Sequence, residues 1–183
     1  MDSLDRQPHL TGSRVSLRPM RAEDWDALYA IASDPLLWAG HPAHDRWQEP
    51  VFRAFFDAAL ASGGGLAILD AVSGALIGAS RYDFGRTQAG EVEIGWTFLA
   101  RDRWGAGINA EVKRLMIGHA LASVERAIFI VGEHNIRSRR AMAKIGARLT
   151  DRTYRAVMAG QPVRHVIYAI DRPDFATGPL ATR

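Results

Sequence analysis

At 183 residues, with 48% hydrophobic and 23% charged side chains, the chain has the size and balance of a single domain that buries its own core without staples. It has no cysteine, which excludes disulfides, thiolate zinc sites and a cysteine nucleophile. The net charge is only +3, carried almost wholly by arginine, since Lys113 and Lys144 are the sole lysines; with no aromatic-interleaved basic stripe, nucleic acid is not an expected partner.

No apolar run approaches the roughly 20 residues of a membrane span. Met1–Asp5 lacks the basic start and apolar run of a signal peptide, so a cytoplasmic location is expected.

Val15-Ser16-Leu17 alternates like a short strand that Pro19 ends. Glu23 to Ser33 places Trp25, Leu28, Tyr29 and Ala32 at helical spacing before Asp34-Pro35 stops it, and Pro50 to Ala61 reads as a second helix. Leu66–Leu69 and Leu76–Tyr82 form a hairpin around Ser73-Gly74. In Glu91–Leu99, strict alternation sends Val92, Ile94, Trp96 and Phe98 to one face and Glu91, Glu93, Gly95 and Thr97 to the other. The next helix carries Ile108, Val112, Leu115, Met116 and His119 on one face, and Ala127–Val131 is a continuous apolar run, as in a strand buried on both faces. Asn135 caps a helix ending at Gly146. Strands at Arg148–Met158 and Arg164–Ile170 flank the turn Ala159-Gly160-Gln161-Pro162, and loose ends are expected at about 1–9 and 173–183.

This order predicts an α/β (α+β) domain with one mixed, mostly antiparallel sheet of about seven strands and helices on both faces. Glu91–Leu99 and Ala127–Val131 should be parallel neighbours joined by a right-handed crossover.

The chemistry concentrates in Arg101-Asp102-Arg103-Trp104-Gly105-Ala106-Gly107, a glycine loop opening a helix, where free N–H groups and the helix dipole favour phosphate. Gly105 to Ala110 matches a dinucleotide fingerprint, with Glu133 ending the next strand. Three details oppose that alternative. Ala100–Trp104 separates strand from loop, the preceding strand alternates instead of being continuously apolar, and only one such strand–helix–strand unit is present.

"VEIGWTFLARDRWGAGINAEVKRLM" followed by "EHNIRSRRAMAKIGARL" resembles the GCN5-related N-acetyltransferases, specifically the RimJ/RimL-like branch, over about Leu10 to Ile170. The resemblance implies the acyl-CoA N-acyltransferase fold, acetyl-CoA as cofactor, and an acceptor that is a protein N-terminus, amino acid or small amine. A homodimer is also a family-level expectation. It places the pyrophosphate on Trp104, Gly105, Ala106, Gly107, Ile108 and Asn109, where Trp104 replaces the usual Gln/Arg and Asn109 the final small residue. The cofactor arm, and backbone donors for an oxyanion, would lie along Thr97, Phe98 and Leu99. Asn135 and Ser138 match the second signature, with Arg139 on the same helix face, and Met142 stands where many members carry a tyrosine general acid.

An amine must lose a proton before attacking a thioester, and a carboxylate is the usual acceptor. Glu93, beside Gly95, is the first candidate, and Glu91 on the same face is second, with a place in acceptor binding. Glu111 reads as a first-turn complement to the helix dipole. Ser138 is the candidate hydrogen-bond donor to the departing sulfur. Trp38, Arg81 and Tyr82 are expected at the acceptor mouth, beneath the loop His41-Pro42-Ala43-His44-Asp45 that Trp38 and Trp47 bracket. Those histidines lack a third ligand cluster, so no metal is expected. A non-catalytic acyl-CoA-binding module would keep the loop and Asn135 but need no base.

Overall fold

A computed structural model describes residues 4–181. Eight strands form one sheet: β1 (Leu10–Thr11), β2 (Val15–Pro19), β3 (Gly65–Asp70), β4 (Leu76–Asp83), β5 (Glu91–Leu99), β6 (Arg126–Gly132), β7 (Arg148–Met158) and β8 (Gln161–Asp171). Their order is β1-β2-β3-β4-β5-β6-β8-β7. The strand beyond the expected seven is β1, two residues that pair with β2. Every adjacent pair is antiparallel except β5 and β6.

Helices cover both faces. On one lie α1 (Trp25–Ala32), the short α2 (Pro35–Trp38) and α3 (Glu49–Ala61), whose Leu28, Trp38, Phe52 and Phe56 bury against Ala79 and Phe98. On the other, α4 (Ile108–Leu121) and α5 (Ile136–Lys144) bury Val112, Met116, Ile117 and Met142 with Val92, Ile94 and Phe129. The apolar stripe of each helix therefore finds a strand face, the arrangement that removes most apolar area from water.

Two features of β5 shape the molecule. It pairs with β6 over only three residues, Glu91–Glu93 against Arg126–Ile128. Thereafter β5 continues along β4 and β6 along β8, so a wedge opens between two otherwise central strands. Second, the β4–β5 register shifts between Ala79 and Arg81, and Trp96 adopts φ +53°. This is a β-bulge: one extra residue reverses the alternation. Val92 and Ile94 accordingly face α4, whereas Phe98 packs with Trp38 and Phe52 across the sheet, correcting the uniform alternation expected from sequence.

Of the ends expected to be loose, residues 1–3 and 182–183 lie outside the described residues, and the described parts are packed. Leu4 is buried in the core, the carbonyl of Asp5 lies 2.7 Å from His119 Nε2, and Arg6 Nη1 donates to the Ser62 carbonyl. Beyond β8, α6 (Arg172–Thr177) follows at once, with Phe175 packed on the core and Leu180 buried.

Candidate active site

The wedge between β5 and β6 opens into a cavity of about 950 Å³, walled by both strands, the glycine loop, α5 and the segment from Leu37 to Arg46. Trp38, Glu93, Thr97, Phe98, Leu99, Trp104, Gly105, Gly107, Asn109, Asn135 and Ser138, all expected from sequence, line it together. That convergence brings the glycine loop, the strand carboxylate and the asparagine signature to one place from three separate elements.

The loop is built for an anion. Gly105 and Gly107 have φ +78° and +76°, a region that side chains disfavour, and a Cβ on Gly107 would lie 2.9 Å from Arg14 Nη1. Gly107 caps α4 without any side-chain hydrogen bond, so the first-turn N–H groups stay available. Two loop residues serve the scaffold instead. The Ala106 carbonyl accepts from Arg14, and Ile108 is buried in the core, so neither side chain lines the cavity. Glu111, acidic in the first turn of α4, also accepts from Ser13 and from the Arg14 N–H, tying the helix start to the β1–β2 turn.

Glu93 is 1% exposed and receives Arg86 on both oxygens, at 3.0 and 2.5 Å. Burial raises its pKa to about 7 against the opposing pull of Arg86. Gly95 makes that placement possible, because a Cβ there would stand 3.2 Å from Glu93 Oε1. Arg86 is in turn stacked over the rings of Trp96 and Tyr154.

Four expected residues lie elsewhere. Glu91 does not line the cavity: its buried carboxylate accepts from Arg152 at 2.7 and 3.1 Å, lies 3.5 Å from Arg126, and accepts the Gln88 N–H. Burial pushes its carboxyl up, but these partners outweigh that and hold it below the ordinary range. Tyr82 points to the α4 face and donates to the Met116 carbonyl within the core. Arg81 lies over Trp96 and pairs with Asp83, outside the cavity lining. Arg139 turns back to Tyr168 Oη and the Glu133 carbonyl, while Arg137 and Arg140 reach the cavity in its place.

Asn135 combines two roles. It is buried, and its Oδ1 accepts from the Ser138 N–H to cap α5, yet it also lines the cavity.

The sequence did not single out several cavity residues. Lys113 is 3% exposed, with Nζ 2.7 Å from Thr97 Oγ1 and 5.6 Å from the centre of the Phe129 ring. It thus bridges the floor of the wedge from β5 to β6, and burial lowers its pKa to about 7. Arg46 sits against the Phe55 and Trp38 rings, and burial lowers its pKa to about 10. His41 is pushed down to about 3, by burial first and then by Arg46, Arg137 and His165. His165, 3% exposed, has a buried Nδ1 without a hydrogen-bond partner. The isolation of Lys113 within an arginine-rich chain hinted at the first of these, and His41 belongs to the loop expected over the acceptor mouth; Arg46 and His165 carried no signal. Among the described residues no three His, Cys, Asp or Glu side chains converge as a metal set, and no helix is long and apolar enough to cross a membrane.

Comparison with known proteins fits this geometry. The acetyltransferase (GNAT) domain model matches residues 14–148. A GCN5-related N-acetyltransferase from Brucella melitensis superposes with TM-score 0.81 at 20% identity, covering 96% of this chain and 82% of its own. A GNAT-family acetyltransferase from Bacillus anthracis gives 0.72 at 18%, with 90% and 98% covered. Mycobacterium smegmatis RimJ in complex with CoA-disulfide gives 0.70 at 19%, with 91% and 86% covered. The wedge, the bulge beside it and the uncapped glycine loop meet at this one cavity. The chain belongs to the GNAT acetyltransferase family. This removes the dinucleotide alternative, whose fingerprint here follows a strand that is antiparallel to its β4 neighbour.

Proposed function

We propose that the protein transfers an acetyl group from acetyl-CoA to a primary amine, with Glu93 as general base. The observation that carries the reading is the meeting, in one cavity, of an uncapped glycine-loop helix start and a buried carboxylate whose pKa is about 7. The residues present suit the cofactor: available N–H groups at Gly105–Asn109 for the pyrophosphate, and Thr97–Leu99 with Asn135 along its arm. RimJ, of the same fold, was solved with CoA-disulfide.

Acetyl-CoA supplies an acyl thioester whose thiol has an ordinary pKa of about 8.5. Glu93 takes the proton of the incoming ammonium, directly or through a water, and Arg86 holds the carboxylate in place. A base with a pKa near the working pH balances ionisation against proton affinity. At the tyrosine position stands Met142, whose side chain has no ionisable proton; Lys113 Nζ, fixed on Thr97, offers one on the same wall. Ser138 is the second donor there.

The test is release of free thiol from acetyl-CoA in the presence of amine panels, with calorimetric titration of acetyl-CoA and an NADH control. Micromolar acetyl-CoA binding and amine-dependent thiol release are expected, with Glu93→Gln lowering turnover about 10²- to 10⁴-fold. Binding without turnover, unaffected by Glu93→Gln, would assign the chain to acyl-CoA sensing instead.

A further inference from the structure

Most cations on the cavity wall are committed. Arg86 holds Glu93, Arg103 pairs with Asp70 at 2.8 Å, and Arg137 donates to the Leu37 carbonyl while stacking on Trp104. Arg140 and Lys144 are exposed on α5. Arg46 differs from all of these. Its guanidinium carbon lies 4.4 Å from the Phe55 ring centre and 5.1 Å from that of Trp38, and its side chain makes no hydrogen bond or ion pair with any described residue. The rings fix the plane of the guanidinium and leave its edge to the cavity that Arg46 lines.

A charged group withdrawn from water without a counter-ion is costly unless a ligand supplies the opposite charge. The surroundings limit what that ligand is. Neighbouring His41 is uncharged at neutral pH, and its Nδ1 already accepts the Ala43 N–H. Arg137 adds a second positive charge beside His41 and Asp45 offsets part of the field at Arg46, so the local excess is small and suits a monoanion better than a phosphate dianion; the planar guanidinium edge matches a carboxylate in bidentate fashion.

We propose that the acceptor is a small amine that also carries a carboxylate, with Arg46 receiving the carboxylate. The substrate class is a free amino acid or amino-acid-like zwitterion. This rests on the acetyltransferase reading for the identity of the second ligand. Such a ligand enters a cationic cavity without net charge, and the cations around it then favour loss of the ammonium proton, the step that Glu93 completes. A diamine, doubly positive, is excluded by the same field.

The experiment is calorimetric titration of free amino acids and ω-amino acids, each matched with its own amide, and of a diamine, into the free and the coenzyme A-saturated protein. Acids are expected to bind about 10- to 100-fold tighter than their amides, with the preference lost in Arg46→Met and partly retained in Arg46→Lys. Unchanged coenzyme A affinity in both variants serves as the control for folding. Amides binding as well as acids, or no member of the panel binding, overturns the proposal. Loss of coenzyme A affinity in Arg46→Met also overturns it, by assigning Arg46 to the cofactor. Absence of coenzyme A binding by the wild-type protein defeats the acetyltransferase reading itself, whereas coenzyme A binding without acid preference defeats only the acceptor assignment.

Discussion

Replacing Lys113 by methionine should make the protein more stable, and the gain should shrink as pH rises. Lys113 is buried without a counter-ion, and its pKa falls from 10.5 to about 7. At 1.36 kcal/mol per pH unit, this gap is a penalty of about 4–5 kcal/mol for carrying the charge in the folded state. The sign follows from proton counting. Between the two values the unfolded chain holds the proton more tightly than the folded one, so native stability rises with pH through that interval. The penalty is nearly complete at about pH 7, falls to about 2 kcal/mol by about pH 9 and vanishes above the unfolded value. Against it stands one lost hydrogen bond to Thr97, about 1 kcal/mol, and the partial loss of Thr97's satisfaction is softened by its contact with Ser80 Oγ at 2.8 Å. A net gain of about 3 kcal/mol at neutral pH remains. Urea denaturation of wild type and Lys113→Met across a pH series measures it directly. A destabilised variant at neutral pH, or a difference that does not change with pH, would show that the ammonium is not desolvated. Retention of a residue that costs this much, on the wall of the proposed cofactor cavity, is what a stability-for-function exchange looks like.

The pH dependence of kcat/KM should show a rising limb through about 7, because Glu93 must be ionised to accept a proton, and a falling limb above it if Lys113 is the donor; a profile with no rising limb would remove Glu93 as base. Gly107→Ala should cost about 1–2 kcal/mol and weaken acetyl-CoA binding, since its φ of +76° and the 2.9 Å approach to Arg14 Nη1 resist a side chain; calorimetry and thermal unfolding read both effects. Glu91→Gln should lower stability by about 2–4 kcal/mol while leaving acetyl-CoA affinity intact, because it strands Arg152 without touching the cavity. Its carboxyl is held below the ordinary range, so this contribution is complete at neutral pH and is lost as pH falls through the folded value.

Much of this architecture could be read from residue patterns because local chemistry and global packing agree. The run Ala127–Val131 required burial on both faces, and β6 lies centrally between β5 and β8. Gly105 and Gly107 announced left-handed backbone. The misses have physical causes. The bulge at Trp96 places a bulky residue at positive φ, where no glycine or asparagine advertises the kink, so simple alternation continued one residue too far. Arg139 was grouped with Asn135 by counting four residues along a helix, but Asn135 is the cap and has non-helical angles, so the helical period does not apply from it. Lys113 lies between Val112 and Arg114 and reads as the edge of a polar face. Its burial arises only where β5 and β6 separate above α4, a relationship between strands that no local window contains.

Those same two groups, Glu93 and Lys113, make the cavity a proton reservoir. Each has a pKa of about 7 in the free protein, so at neutral pH each is near half ionised. The charge of an anionic cofactor entering the wedge favours the protonated form of both; the water it excludes adds to this for Glu93 and opposes it for Lys113. The electrostatic part is direct: negative charge raises both pKa values. Binding of acetyl-CoA should therefore draw protons from the buffer, up to about one per site at neutral pH. Titrations in buffers of different ionisation enthalpy give this number as the slope of observed enthalpy. Lys113→Met should remove about half of the slope, and Glu93→Gln the other half, which separates the two contributions. A slope of zero, or proton release, would mean that the cofactor's charge does not reach these groups. The base and the buried amine would then be electrostatically independent of the ligand beside them, and a mechanism in which cofactor binding sets their protonation for catalysis would fall.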